Sequence, residues 1–205
     1  MLRILACGVL LWAACEESQP SSAVEAPNEA GESASARFPV FPPHRRLTYV
    51  VDSRPECATE SADIEAAARG FAFWGDFGVE VVKADVLPPE ADGRRNAVLV
   101  CLSRKRFWGS RLGSTQWTSR WAEMAILASL DLADISSVAA HELGHVIFES
   151  ATHLPDEQCG LMGGNYIWPG FSEADIAFAA ERGLEWIGGE PYPDLEGFAC
   201  ENPFR

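Results

Sequence analysis

Residues 139–164 read AAHELGHVIFESATHLPDEQCGLMGG and carry three of the chain's four histidines. On a helix, His141 and His145 lie about 40° apart around the axis and one turn along it, so both imidazoles reach a single ion. Glu142, offset by one residue, stays out of the ligand pair but can address a water held there. Gly144, before His145, leaves room for a neighbouring backbone. His153 is placed to supply a third nitrogen once the helix has ended. Three histidines around zinc leave a fourth position open for water, as in a catalytic rather than a closed structural site. Glu149 lies too close on the same helix to return to the metal.

Around this core the sequence DISSVAAHELGHVIFES predicts a helix over 134–150, with Asp134 as its N-cap. Ala139, Leu143, Val146 and Ile147 share one side and predict packing. Val138, His141, Glu142 and His145 fall on another. Met162 stands nine residues past His153, inside Cys159-Gly-Leu-Met-Gly-Gly, where the glycines suit a tight turn. Ser172 with Asp175 three residues later forms a capping-box pattern and starts a last helix running to Gly183. The tail, 184–205, holds three prolines and Cys200 and reads as irregular.

Upstream, LTYVVDS (47–53) predicts a strand and SADIEAAARGFAFWGDFG (61–78) a helix with Ser61 at its N-cap. VEVVKADV (79–86) and NAVLVCLS (96–103) predict two more strands. LGSTQWTSRWAEMAILAS (112–129) adds another two, the first polar enough for a sheet edge. This element order indicates an α/β layer.

The motif and the element order together resemble the metzincin zinc proteases, in particular their matrixin-like branch. That family carries HExxHxxGxxH followed by a methionine turn beneath the metal. The resemblance covers most of 47–183. It implies an α/β (α+β) fold: an N-terminal mixed twisted sheet with a backing helix and an active-site helix, then a small C-terminal subdomain with the methionine turn and one helix. It also implies a Zn2+ cofactor, His141, His145 and His153 as ligands, Glu142 as general base and Met162 as the turn residue. The chain departs from the pattern in one place. Seven residues, Val146 to Thr152, separate His145 from His153 where the family has five, and the glycine that ends the helix is missing. Asp156 and Glu173 therefore stand as alternatives to His153: some metzincin relatives use aspartate, and the other large HExxH class uses a glutamate from a later helix.

Resemblance also suggests peptide hydrolysis with the substrate paired to an edge strand within 112–118. Two rivals are an exported zinc-binding lipoprotein that holds a partner without cutting it, and an amidase acting on a non-peptide substrate. Tyr166 is a candidate oxyanion donor or a buried aromatic. Trp108, Trp117 and Trp121 are candidates for groove or core. His44, in a Pro/Arg segment, reads as solvated.

Arg3 and the apolar run Ile4 to Ala14 are too short to span a bilayer but suit a secretory signal. Leu11-Trp12-Ala13-Ala14-Cys15 resembles a bacterial lipoprotein signal, with Cys15 as the lipidated residue. The expected organisation is a signal at 1–14, a disordered tether at 15–46 rich in Glu, Ser, Ala and Pro, and a catalytic domain at 47–205. Loss of the signal takes the net charge from −14 to −15. So acidic a chain is a poor partner for nucleic acid or an anionic membrane surface, and membrane contact is expected through the lipid alone. The expected partner is a peptide or protein substrate, met by a monomer in the bacterial cell envelope or outside it. Cys57, Cys101, Cys159 and Cys200 then remain in an oxidising compartment and allow three connectivities. The expected pairs are Cys57 with Cys101 and Cys159 with Cys200, the latter tying the tail to the loop before Met162.

Overall fold

Short β-branched and aliphatic runs form the sheet, and their composition sorts them across it. In the computed structural model the described residues are 42–57, 60–88, 96–104, 112–155, 158–163 and 168–193. The strands are β1 (Arg46–Val51), β2 (Glu80–Lys83), β3 (Ala97–Ser103), β4 (Gly113–Trp117) and β5 (Ala122–Leu127), in the order β2-β1-β3-β5-β4. β1, β2, β3 and β5 run parallel. β3, with the apolar sequence AVLVCLS, is buried along almost its whole length, as a central parallel strand must be. β4, GSTQW, closes the sheet antiparallel to β5 and forms one edge, which its polar side chains tolerate.

Helix α1 (Ser61–Ala72) packs directly on α2 (Leu132–Phe148), and α2 also meets β4 and β5. The third helix, α3 (Glu173–Ala180), follows the turn that carries Met162. Among the described residues no helix is long and apolar enough to cross a membrane. The core joins sheet and helices through Leu47, Val98, Leu102, Ile126, Ile135 and Leu143, all fully enclosed. A 3-10 turn over Phe73–Phe77 continues α1 and drives Trp74 beneath α2. There its indole Nε1 donates to the Ala140 carbonyl at 2.8 Å, and its ring meets Phe148 and Phe171 edge-on.

Three local expectations change. α2 is capped by Asp131, not Asp134: the Asp131 side chain accepts from Asp134 N at 2.8 Å, so Asp134 occupies the first turn instead. Ser61 is the first helical residue of α1, and the preceding Glu60 makes no side-chain cap. His44 is not solvated. It is 4% exposed, and its Nε2 lies 2.8 Å from Glu149 Oε1. The segment before β1 folds back onto the end of α2, with His44 N donating to the Ile147 carbonyl at 3.0 Å.

The Ser172–Asp175 capping box forms, and Asp175 carries a second load. Its buried carboxylate accepts from Leu161 N at 2.7 Å, Met162 N at 2.8 Å and Ser172 N at 2.9 Å. Burial pushes this carboxyl's pKa up, while the converging N–H groups pull against that rise. Replacing Asp175 with alanine strands three donors in the interior at about 1–3 kcal/mol each, only part of which relaxation recovers. We expect the D175A protein to lose about 3–5 kcal/mol of unfolding free energy in urea. A loss below about 1 kcal/mol would mean that the Leu161–Met162 turn holds itself.

Candidate metal centre

The site is built on the last two turns of α2 and on the chain that returns beneath them. His141, His145 and His153 come together, with one ring nitrogen from each within 4.8 Å of the others. The His153 ring centroid lies 5.1 Å from that of His141 and 4.7 Å from that of His145. Glu173, at the start of α3, is not part of the cluster, and Asp156 lies outside the described residues.

Two backbone carbonyls orient the helical pair. His141 Nδ1 sits 2.6 Å from the Leu161 carbonyl and His145 Nδ1 2.8 Å from that of Ser150. A carbonyl oxygen only accepts, so each Nδ1 must carry the proton and donate it. Both Nε2 atoms are then bare lone pairs, and they face each other at 3.1 Å. Two acceptors so placed make no hydrogen bond between themselves. Their spacing is close to the ~3.3 Å between two nitrogens bound to one tetrahedral zinc at ~2.0–2.1 Å. The three imidazoles therefore fit a metal ion.

Burial pushes His141 down to about 4 despite the raising influence of its bond to Leu161. Burial, then the neighbouring His141 and His153, pushes His145 down to about 3. Both rings are thus neutral near pH 7, the form in which imidazole binds metal.

The missing glycine has a structural answer. α2 ends in a Schellman motif: Ser150 N donates to the His145 carbonyl and Glu149 N to that of Val146, both at 3.1 Å. The left-handed residue that this motif requires is Glu149, at φ 46° and ψ 42°. It is the non-glycine residue with positive φ among those described. Such a conformation costs an L-residue roughly 1–2 kcal/mol. Glycine in the family pattern would stand at position 148, one residue earlier. After the turn, Leu154 N donates to the Met162 carbonyl at 3.0 Å, so His153 is held between two anchored points.

Met162 lies under the helical pair and is almost wholly buried. Gly144 makes this possible, since a Cβ there would stand 2.3 Å from Met162 Sδ and 2.7 Å from Trp74 Cζ2. The glycine between the histidines is a seat for the methionine.

Glu142 is also buried, and it points toward the edge strand. Thr115 Oγ1 donates to its Oε2 at 2.7 Å and lies 3.1 Å from its main-chain carbonyl. Gly113 flanks the same carboxylate, and a Cβ there would sit 2.7 Å from Glu142 Oε1. Nothing in the sequence assigned Thr115, Glu149, His44 or the Ser150 carbonyl to the metal centre. Each acts through a contact that only the folded chain creates.

Cys57 and Cys101 form a disulfide joining the turn after β1 to β3. They also adjoin Asp52, but sulfurs joined to each other do not offer a metal two thiolates. Cys159 is disulfide-bonded as well. Cys15, Cys200, Tyr166 and Trp108 lie outside the described residues. Trp117 packs half-buried on the core, and Trp121 Nε1 approaches Glu123 Oε1 at 3.4 Å.

No protein-family model and no curated protein sequence matches the chain. Among solved structures it is similar to metalloproteinase-II from Bacteroides fragilis, at 14% identity and a TM-score of 0.41. The match covers 71% of this chain and 55% of that one.

Proposed function

We propose that the chain is a zinc-dependent endopeptidase of metzincin-like, matrixin-like build. One observation carries this reading: two proton-free Nε2 atoms face each other at 3.1 Å, a third imidazole joins them, and the next residue on the helix is a buried carboxylate. Three imidazole nitrogens suit zinc. When bound, zinc supplies Lewis acidity that polarises a carbonyl and acidifies water.

The chain's own residues do the rest. His141, His145 and His153 hold the ion. Glu142 takes a proton from the attacking water at its carboxylate and returns it to the leaving amine. No covalent bond between protein and substrate is required. β4 is the antiparallel edge of the sheet beside Glu142, so an extended peptide pairing with it passes close to this base. The substrate class proposed is accordingly an extended peptide or protein segment, met by a monomer. The lipoprotein-type pattern ending at Cys15 supports export to the bacterial cell envelope, anchored by lipid.

The test is digestion of a mixed peptide library by the zinc-loaded chain, by the chelator-treated chain and by the E142Q variant. Cleavage that disappears on chelation, returns with zinc and is lost in E142Q supports the reading. A zinc-loaded wild type that cuts nothing overturns it in favour of a protein that binds without cleaving.

A further inference from the structure

The left-handed turn that sends His153 back to the metal is made by a residue poorly suited to it, and a second residue holds that one in place. Glu149 adopts φ 46° without being glycine, and its carboxylate is only 12% exposed because His44 Nε2 lies 2.8 Å from its Oε1. His44 is itself 4% exposed, and its backbone N–H binds the Ile147 carbonyl, two residues before Glu149. His44 therefore grips the end of α2 twice, once by main chain and once by side chain. The gripped turn is also the one that orients His145, whose carbonyl takes the Ser150 N–H and whose Nδ1 donates to the Ser150 carbonyl.

From this geometry we infer that His44 is a positioning residue for the metal centre: by clamping Glu149 in the left-handed conformation, it sets the return of the chain from His145 to His153. The inference rests on the metal-binding part of the function proposed above. It explains how a chain lacking the helix-ending glycine and carrying a longer return can still present a third imidazole. The clamp supplies from the side chain what glycine supplies from the backbone. It also makes the segment immediately before β1 part of the site, although His44 stands nearly a hundred residues from the first ligand.

The experiment reads zinc affinity, by competition with a chromophoric chelator at pH 7.5, in the full chain. Outer contacts that orient metal ligands typically carry 10–100-fold in affinity, so H44A and E149A should each bind zinc at least ~10-fold more weakly than wild type. The double variant should be little weaker than either single, because both remove one device. E149G should stay within about threefold of wild type, since glycine adopts the turn without a clamp. In an H153A background, H44A should cost clearly less affinity than it does in the wild type, because the ligand whose return it sets is gone and only the orientation of His145 still depends on the turn.

Equal affinities for E149A and E149G would overturn the proposal, as would an H44A loss of the same size with and without His153. The comparison at position 149 leaves His44 in place, so it decides the matter even if H44A does not fold. A wild type that binds zinc but cleaves nothing removes the peptidase reading alone. A wild type that binds no zinc removes both.

Discussion

Replacing Glu142 with glutamine should leave zinc bound and reduce peptide hydrolysis by about 10²- to 10⁴-fold, equivalent to ~2.7–5.5 kcal/mol in the barrier. The substitution isolates chemistry from geometry because of what surrounds the side chain. Thr115 Oγ1 donates to Oε2 at 2.7 Å, and a glutamine carbonyl accepts that bond equally well. The lack of a side chain at Gly113 leaves room for the group at position 142, and an amide differs little in size from the carboxylate it replaces. What glutamine cannot do is accept a proton from water. kcat/KM on a library peptide, with zinc content measured on the same samples, separates the outcomes. Zinc lost in parallel with activity would show that Glu142 supports the metal rather than the proton transfer. Activity within about threefold of wild type would remove it from the mechanism.

The parts of this site that could be read from the sequence are those set by local periodicity. His141 and His145 share a face because any helix places i and i+4 together, and their carboxylate neighbour follows from the same geometry. β4 announced itself as an edge through Ser114, Thr115 and Gln116, and Ser172 with Asp175 announced a helix start. Asp134 reads as the cap of α2 in the sequence, but the helix begins at Leu132 and Asp131, three residues earlier, takes the role. What escaped was tertiary. Nothing in the sequence marks Glu149 for positive φ, because the conformation is sustained by His44 from outside the helix. His44 in turn looked solvated because its Pro/Arg neighbours are, and only its packing against Ile147 and Glu149 buries it. Asp175 was legible as a cap, while its bonds to Leu161 and Met162 depend on the loop folding over it.

Replacing His145 with alanine should weaken zinc binding severely, abolish hydrolysis and, at the same time, make the metal-free protein less sensitive to acid. The first effect is loss of a ligand: a site reduced to His141 and His153 no longer offers the three nitrogens a catalytic zinc requires, and hydrolysis goes with the metal. The second follows from burial. His145 is 6% exposed and its pKa is pushed down to about 3, against an ordinary value near ~6.5 in the unfolded chain. Between those values the unfolded chain binds a proton that the folded one refuses. Stability is therefore complete above pH ~6.5 and falls as the pH drops toward the folded value, by at most ~1.4 kcal/mol per pH unit for each such histidine. His141, pushed down to about 4, adds a second slope of the same sign. H145A removes one of the two. At pH 7.5 the variant should be less stable than the metal-free wild type, because alanine leaves a hole and strands the Ser150 carbonyl. From pH 6.5 to 4.5 the two stability curves, measured by urea titration of chelator-treated protein, should draw together by up to ~1.4 kcal/mol per unit. Parallel curves would mean that His145 takes up its proton in the folded state as readily as in the unfolded one. The burial that keeps the paired nitrogens bare in mildly acidic solution would then be absent.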